Sequence, residues 1–315
     1  MKNIKSFFAL TTVLSVVVLS SCNNNKDNKQ KTVRMATFFN AVDYGPYIIA
    51  KKKGWFDQAL KEKGITVEYS QFQDLPALNE SFATNKIDIV FEAEPPAIIG
   101  KTAGNDIKIR DISCTLNQEI VVRSDSKINS VKDLQGKKIA VLAGTSSHYG
   151  VYELLKRNGI TPDDKLIFDM APPDAKIALA KGEVDAWAIW PPNVEEEEVA
   201  GTGKSFSGDE VFISSVMVTN EKFVKNNPET FQIIKETFDK AKKWIAENPD
   251  EAIKIIAEEM KEPVAVIKLA FPKHNWSATI NDKIIADIQA KADFLLKLGK
   301  IKNSITVKGD LIPAQ

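Results

Sequence analysis

Apolar and polar positions follow one order twice along the first two thirds of the chain. Residues 76–96 and residues 173–192 each contain an amphipathic helical segment, a polar turn, an aspartate, a short apolar strand and a double proline. Solenoid repeats have periods of about 20 to 50 residues, and the period here is much longer. The pattern therefore predicts two similar lobes of one fold.

The segments in front of each copy are also alike. A strand, a helix and a second strand precede the first copy within residues 33–69, and the same order precedes the second copy within residues 138–170. The order β-α-β-α-β in each half is typical of parallel sheets covered by helices. Ligands of open parallel sheets bind beyond the carboxyl ends of the strands. We therefore expect an α/β protein of two lobes, each a mostly parallel sheet flanked by helices, with a ligand cleft between them.

Extended segments that leave and re-enter the first half mark the predicted lobe boundaries. Residues 107–112 and 119–125 lead into the second half, and residues 211–219 lead back. Two such crossings form a hinge that opens and closes by small backbone rotations. The predicted division is lobe 1 at residues 32–117 with 219–315 and lobe 2 at residues 118–218.

The last third of the chain predicts helices. Residues 228–247, 250–261 and 263–271 carry apolar residues three and four positions apart, and Asn227 precedes a proline at the first helical position. We expect these helices to pack back onto lobe 1.

Residues 1–31 indicate export and anchoring. Two lysines precede an apolar run from Phe7 to Leu19, which is typical of a removable signal and too short for a stable membrane span. The next residues, Leu19-Ser-Ser-Cys22, resemble the lipobox of bacterial lipoproteins, in which the cysteine is acylated and becomes the first mature residue. We therefore predict a lipoprotein signal peptide at residues 1–21 and a flexible polar tether at residues 22–31. The protein would then be exported and held to the bacterial membrane by lipid on Cys22.

Composition narrows the classes of partner. The 315 residues include 42 basic and 42 acidic residues, so the formal charge is zero, and no basic stripe favours nucleic acid. The cysteines and histidines are Cys22, Cys114, His148 and His274, and their positions do not cluster as zinc ligands do. We therefore expect no nucleic-acid partner, no metal and no cofactor.

The segment Gly144-Thr-Ser-Ser-His-Tyr-Gly150, between a strand and a helix, is the strongest candidate for ligand binding. Backbone N–H groups at a helix start have no intrahelical acceptor and carry partial positive charge, so they bind anions. We predict that Thr145, Ser146, Ser147 and His148 contact an anionic group. Under the alternative interpretation one hydroxyl only caps the helix, and both roles are compatible.

The second copy ends in the segment Asp185-Ala-Trp-Ala-Ile-Trp-Pro-Pro192. In a regular strand Trp187 and Trp190 face opposite sides, so one of them packs in the core unless the double proline turns the chain. Both are candidates for the ligand wall. Asp185 is a further candidate for contact with the ligand. Alternatively, it accepts a hydrogen bond from an N–H group of a hinge or a helix cap.

The first copy ends in Glu92-Ala-Glu94 instead of tryptophans. Like charge beside an anion is unfavourable, so a contact from Glu94 would imply a cationic group on the ligand; alternatively, Glu94 complements the dipole of the next helix. Asn40 and Tyr44, after the first strand, are further wall candidates. The difference predicts that lobe 1 offers charge and lobe 2 an aromatic wall. The run Glu195–Glu198 is interpreted as a solvated face.

These motifs give the chain a resemblance to a known family. Residues 144–148 and 174–192 resemble segments of the aliphatic sulfonate-binding proteins of ABC importers, in a group that also binds taurine or nitrate, and the resemblance covers nearly all of residues 32–300. It implies the two-lobed type II periplasmic-binding fold, which closes on a solute and delivers it to a permease. In this family the turn that corresponds to Thr145–Ser147 helps to hold the sulfonate.

The resemblance implies the function that we expect. The protein would be monomeric, extracytoplasmic and lipid-anchored, and it would capture a small anion or zwitterion for an ABC permease. The ligand would be an alkanesulfonate or a taurine-like molecule. Thr145, where serine is usual, and the acidic segment Glu92–Glu94 depart from the family pattern and leave the ligand open. Nitrate, a pyrimidine or thiamine precursor, and riboflavin are alternative ligands, and a sensor lobe without transport is an alternative function.

An enzyme is not expected from these residues. Ser146 and Ser147 are sequence neighbours of His148, which prevents a nucleophile–base arrangement, and no G-x-S-x-G motif is present. Pyrimidine-precursor synthases share the fold that the resemblance implies, but they carry a cysteine-rich iron motif, and Cys114 would be the one cysteine of the mature chain that carries no lipid.

Overall fold

The computed structural model describes residues 31–163 and 165–314. The predicted signal peptide, Cys22 and all but the last residue of the predicted tether lie outside the described residues. Within the described part, no helix is both long and apolar enough to cross a membrane. The lipid anchor therefore stays a prediction.

The described residues form one sheet of eight strands with helices on both faces. The strands are β1 (Thr32–Phe38), β2 (Thr66–Phe72), β3 (Ile89–Ala93), β4 (Ile107–Arg123), β5 (Ile139–Val141), β6 (Ile167–Asp169), β7 (Ala186–Ile189) and β8 (Gly203–Asn220). Their order across the sheet is β2-β1-β3-β8-β4-β7-β5-β6. β1 pairs in parallel with β2 and β3, and β5 pairs in parallel with β6 and β7. β8 is antiparallel to β3, and β4 is antiparallel to β7.

The helices alternate with the strands as the sequence predicts. They are α1 (Gly45–Lys52), α2 (Trp55–Lys61), α3 (Leu75–Ala83), α4 (Glu94–Thr102), α5 (Ser146–Arg157), α6 (Pro172–Lys181), α7 (Asn193–Val199), α8 (Glu221–Asn226), α9 (Pro228–Glu247), α10 (Pro249–Met260), α11 (Val264–Ala270) and α12 (Asp282–Lys297). The helical stretch predicted from Gly45 onwards is divided at Gly54, whose φ of 66° interrupts the helix between α1 and α2.

Two long strands join the halves of the sheet. β4 and β8 pair with each other on both sides of an irregularity, where the partner of β4 changes from Phe212 at Asn117 to Ser207 at Glu119. Outside these two strands, each half has the same arrangement of three parallel strands, β2-β1-β3 in one and β6-β5-β7 in the other. The predicted two-lobed α/β fold is confirmed. The separation of residues 107–112 from residues 119–125 is wrong, since residues 107–112 and 119–123 belong to the same strand, β4.

The lobe boundaries stay a proposal. The irregularity in β4 lies beside the proposed boundary at residue 118. On the return strand, Ser215–Thr219 pair with β3 of lobe 1. We therefore propose that β8 re-enters lobe 1 between Ser207 and Phe212, earlier than the boundary at residue 218.

Helices cover both faces of the sheet in each lobe. In lobe 1, α1, α2, α9, α10 and α11 pack on one face, and α3, α4 and α12 pack on the other. In lobe 2, α5 covers one face, and α6 and α7 cover the other. Because both faces are buried, β3 and β7 are apolar along most of their length. Helix α12 also reaches lobe 2, where Phe294 belongs to the core that α5 forms.

The interpretation of Glu195–Glu198 as a solvated face is wrong. Glu195 is fully buried and Glu197 is 7% exposed, because α7 packs against β4 and β8. Glu195 pairs with Lys273 Nζ at 2.7 Å, and Glu197 accepts a hydrogen bond from Thr202 Oγ1 at 2.6 Å. A run of charge in a short helix therefore gave no indication of which side chains have buried partners.

Candidate ligand-binding site

A cavity of about 410 Å³ lies between the two lobes, at the carboxyl ends of β1, β3, β5 and β7. This is the place expected for a ligand of open parallel sheets, and its size is within the range of small-molecule sites. The lining residues from lobe 2 are Leu142, Ala143, Gly144, Thr145, Ser146 and Trp190. The other lining residues are Phe38, Phe39, Ala41, Asp43, Tyr44, Gln73, Asp74, Leu75, Pro76, Ala93, Pro96, Ile99, Ile213 and Lys300.

The start of α5 supplies hydrogen-bond donors at the cavity. Thr145 caps the helix: its Oγ1 accepts from the N–H of His148 at 3.3 Å and donates to Leu142 O at 2.7 Å. The N–H groups of Ser146 and Ser147 belong to the first turn, which has no intrahelical acceptors for them. The helix end also carries partial positive charge. An anionic group is therefore stabilised by backbone donors here.

Glu94 connects this helix start to three other elements. Its Oε2 accepts from Ser146 Oγ at 2.8 Å, and its Oε1 accepts from the N–H of Ser214 at 2.7 Å and from Lys291 Nζ at 2.6 Å. Glu94 is fully buried and does not line the cavity. The hydroxyl hydrogen of Ser146 is directed at this carboxylate, so Ser146 offers a ligand its backbone N–H.

The loop before α5 is held by a glycine and a histidine. Gly144 has a φ of 80°, a left-handed conformation that favours glycine, and its N–H donates to Nδ1 of His148 at 3.2 Å. Burial lowers the pKa of His148, although Asp169 acts in the opposite direction. The imidazole is therefore neutral at pH 7, and its Nδ1 can accept.

Lys300 adds a positive charge at the rim. Its aliphatic chain lies over Gly144, where a Cβ would be 3.7 Å from the Lys300 Cδ and Cε atoms. The residue is exposed and lines the cavity beside the start of α5. Its ammonium group and the helix end therefore act together on an anionic group.

Lobe 1 forms an aromatic wall at the end of β1. The rings of Phe38 and Phe39 lie 4.4 Å apart between centroids, tilted by 45°. Tyr44 is buried and donates its hydroxyl hydrogen to Phe38 O at 2.8 Å, which fixes the end of the strand. Leu75 and Ile99 extend the apolar surface from α3 and α4.

Asp43 lies in the same wall and is contacted by His274 and Cys114. Nδ1 of His274 is 2.9 Å from Ala270 O, so it carries a hydrogen, since the carbonyl oxygen only accepts. Nε2 of His274 is 3.0 Å from Asp43 Oδ1, so the ring connects Ala270 at the end of α11 to the cavity wall. Burial raises the pKa of the Cys114 thiol, which donates to Asp43 O at 3.4 Å.

The same residues are the candidate metal ligands of the described chain. The ligand atoms of Asp43, Cys114 and His274 lie within 4.8 Å of one another. The sequence predicts no cluster of cysteines and histidines. Cys114 and His274 are distant in sequence, but the fold places them close together, so that expectation is wrong for this pair. Each of the three is engaged in a hydrogen bond, and the arrangement supports Asp43 at the cavity wall.

Four of the predicted site residues line the cavity, namely Tyr44, Thr145, Ser146 and Trp190. The structure places the other six elsewhere: Asn40, Glu94, Ser147, His148, Asp185 and Trp187. Asn40 is exposed, Ser147 is fully buried, and Trp187 packs in the core between the sheet and α6. Trp187 and Trp190 therefore divide between core and cavity, as strand alternation requires.

Asp185 has a structural role that its counterpart in the first copy shares. Its Oδ2 accepts from the N–H of Lys138 at 2.9 Å, just before β5. In lobe 1, Asp88 accepts from the N–H of Arg34 in β1 at the same distance. Both aspartates lie at the amino ends of their strands, which is the opposite end from the cavity. The repeated aspartate therefore ties adjacent strands together in each lobe.

Comparison with known proteins identifies the family. Residues 41–252 match the family model described as NMT1/THI5 like. The chain belongs to this family. A Bacillus subtilis protein named for binding aliphatic sulfonates is 31% identical over 316 aligned residues, which cover 95% of this chain and 92% of the relative. The crystal structure of the periplasmic aliphatic sulphonate binding protein of Escherichia coli has the same fold, with a TM-score of 0.79 at 21% identity, over 89% of this chain and 97% of that one.

The relatives of this chain also include an enzyme. The 4-amino-5-hydroxymethyl-2-methylpyrimidine phosphate synthase of Aspergillus parasiticus is 25% identical over 239 residues, which cover 69% of this chain and 67% of the relative. The resemblance to sulfonate-binding proteins that residues 144–148 and 174–192 suggest is confirmed.

Several lining residues of this family member were not predicted from the sequence. Phe38 and Phe39 were assigned to the first strand, although their position at its carboxyl end was a usable signal. Asp43 lies next to the predicted Tyr44, and nothing in its spacing indicated a partner at His274. Lys300 is far along the chain from the loop that it covers, so only the folded chain shows their contact.

Proposed function

We propose that the protein is the extracytoplasmic solute-binding component of an ABC importer and that it captures a small organic sulfonate. The observation that carries this proposal is the start of α5, which opens onto a largely apolar cavity between two lobes. A sulfonate group is a permanent anion with three acceptor oxygens, which suits backbone N–H groups at a helix end and a lysine at the rim. The names of the relatives support the same class of ligand.

Delivery to a permease requires that the bound state differ from the free state. A ligand shifts a conformational equilibrium only through contacts that differ between the two states. The cavity wall is shared between the lobes, and β4 and β8 are the strands that connect them. A sulfonate that contacts both lobes would therefore favour closure, and closure would be the signal to the permease.

We also propose that the protein binds its ligand without transforming it. The hydroxyl of Ser146 donates to a buried carboxylate, and Nδ1 of His148 accepts from the N–H of Gly144. Neither group is arranged as a nucleophile with its base. The relatives named for sulfonate binding support this role, although one relative is named as a synthase.

Anchoring through Cys22 is a further part of the proposal. Replacement of Cys22 by Ala should release the protein from the membrane fraction, because the residue that accepts the lipid is lost. Fractionation of cells that express each form would measure the change. Retention of the C22A protein in membranes would contradict the anchor and leave the binding function standing.

A thermal-shift panel tests the ligand class. Alkanesulfonates at 100 times their dissociation constant should stabilise the protein by about 2.7 kcal/mol, whereas nitrate, pyrimidines and riboflavin should give no shift. Lys300→Gln should weaken sulfonate binding several-fold and more strongly at low salt. Lys302→Gln, an exposed lysine that does not line the cavity, is the matched control. Stabilisation by riboflavin or a pyrimidine alone would overturn the sulfonate assignment.

A further inference from the structure

We propose that the cavity selects organic sulfonates that carry a bulky apolar tail and no amino group, and that Phe39 sets this preference. The inference rests on the proposed function, since it concerns the tail of the same ligand. It is carried by the chemistry of the wall opposite the start of α5, by the backbone of Phe39, and by the partners of the two carboxylates at the cavity.

The hydrogen-bond donors and the phenylalanine pair at the cavity come from different lobes. The start of α5, in lobe 2, supplies the donors, and Lys300 lies beside it. Phe38, Phe39 and Ile99 belong to lobe 1 and supply apolar surface, to which Trp190 of lobe 2 adds. A ligand whose anionic group faces α5 would direct its tail at these rings. The volume of about 410 Å³ leaves room for a tail far larger than two carbons.

Phe39 is held in a conformation that its side chain disfavours. Its φ is 61°, in the left-handed region, which is an outlier for a bulky residue. Its N–H donates to Phe72 O at 2.8 Å, which continues the pairing of β1 with β2 and fixes this backbone. The strained conformation places the ring in the cavity wall against Phe38. Strain of this kind persists where the surrounding structure enforces it, and it concentrates at binding sites.

The carboxylates at the cavity are engaged by other groups. Asp43 Oδ1 is paired with Nε2 of His274 at 3.0 Å. Asp74 caps α3, where its Oδ1 accepts from the N–H of Ala77 at 2.9 Å, and it is exposed to solvent. An ammonium group on the tail would lose its hydration when it moved against an apolar wall. It would gain no buried carboxylate dedicated to it in return, so the transfer is unfavourable. The cavity therefore favours a methyl or aryl end over an amino end.

Two sulfonates of equal length test the amino group. Propane-1-sulfonate and taurine differ in a terminal methyl against a terminal ammonium group. Isothermal titration of the mature protein should show propane-1-sulfonate binding about tenfold or more tightly than taurine. Affinity should rise further from methanesulfonate through propane-1-sulfonate to hexane-1-sulfonate and benzenesulfonate, because each step buries more apolar area.

A substitution at Phe39 tests the residue. Phe39→Asn removes the ring, and Asn adopts the left-handed backbone more readily than most residues, so the fold should persist. The variant should lose about tenfold in affinity for benzenesulfonate and change little for methanesulfonate. Phe231→Ala is the matched control, because Phe231 lies in α9, packs against the core of lobe 1 and does not line the cavity. It should leave the ratio between the two ligands unchanged.

The outcomes separate this inference from the proposed function. Rising affinity with tail size, together with its loss in Phe39→Asn, supports the inference. Taurine binding as tightly as propane-1-sulfonate, or affinity independent of the tail, overturns the inference and leaves a sulfonate-binding protein. An absence of binding for every sulfonate in the series overturns the proposed function and the inference with it. Circular dichroism of each variant verifies that it is folded.

Discussion

Glu92 is a carboxyl group that the fold keeps away from water and from partners. It is 1% exposed, and within the described residues neither of its oxygens has a hydrogen-bond partner. Burial raises its pKa from 4.5 to about 8. The group is therefore protonated in the folded protein at pH 7, so it supplies no charge to the ligand.

Replacement of Glu92 by Gln should flatten the dependence of stability on pH. The folded protein holds a proton that the unfolded chain releases above about pH 4.5, so the stability from Glu92 is complete below that pH and is lost as the pH rises through about 8. The free energy of unfolding should fall by up to about 1.4 kcal/mol per pH unit in this window. Urea unfolding across the window measures it. Glu68→Gln, at an exposed position on β2, should retain the wild-type slope; an equal slope in E92Q would contradict the prediction.

Single residues show where prediction from sequence reached its limit at the site. Thr145 and Ser146 could be predicted because a helix start after a strand has a local signature. The buried position of Glu92 and the pairing of Asp43 with His274 depend on contacts between distant segments. The predicted source of charge in lobe 1, Glu92 and Glu94, is therefore wrong: lobe 1 presents Asp43 and Asp74 at the cavity instead, together with Phe38 and Phe39.

Helix α12 is tied to the start of α4 by buried charge. Lys291 is fully buried and bonds to Glu94, Asp287 and Phe212 O. Burial works against the ammonium group, but the two carboxylates outweigh it, so the pKa of Lys291 is raised. Glu94 in turn accepts the hydrogen bond from Ser146 Oγ, so the same carboxylate fixes this side chain at the start of α5.

Lys291→Met should destabilise the protein by about 3–5 kcal/mol, because Glu94 is left as an unpaired buried charge. The double variant Glu94→Gln with Lys291→Met should recover part of this loss, since the fully buried charge of Glu94 is removed and only the partly exposed Asp287 has lost its ammonium partner. Denaturant unfolding of both variants gives the values. Lys297→Met, on an exposed turn of the same helix, should change stability by less than about 1 kcal/mol. A loss in the double variant as large as in the single one would argue against the ion pair as the cause.

The elements were predicted better than their contacts. The repeat of helix, turn, aspartate and strand is visible in the sequence because Asp88 and Asp185 each accept a backbone hydrogen bond from the neighbouring strand segment of their lobe. The continuity of β4 was not visible, since Asn117 and Gln118 interrupt its apolar pattern at the crossing between lobes. Polar residues that look like a loop can lie within a strand, as Asn117 does through its pairing with Phe212 of β8.

The lobes contact each other on two flanks of the cavity. On one flank, Phe294 of α12 packs against the rings of Tyr149 and Tyr152 in α5. On the other flank, Lys273, which follows α11, reaches across to lobe 2. Its ammonium group pairs with Glu195 at 2.7 Å and Glu119 at 2.9 Å. The second flank depends on charge, so it is the one that substitution and salt can adjust.

Replacement of Lys273 by Ala should open this flank. Lys273 belongs to lobe 1 and both carboxylates belong to lobe 2, so the variant loses an attraction that holds the lobes together on this side. The radius of gyration from small-angle scattering should increase, and sulfonate affinity should fall about tenfold, because closure no longer gains this attraction.

Salt distinguishes this cause from a general loss of structure. Salt screens the attraction between Lys273 and the two carboxylates, so added salt should lower the affinity of the wild type towards that of Lys273→Ala and change the affinity of the variant less; a loss that comes from misfolding would not show this convergence. Lys268→Ala, an exposed lysine on α11, is the matched control and should behave as the wild type. An unchanged radius of gyration and affinity in Lys273→Ala would show that the charged flank does not govern closure, and the contact between α12 and α5 would then be the one that joins the lobes.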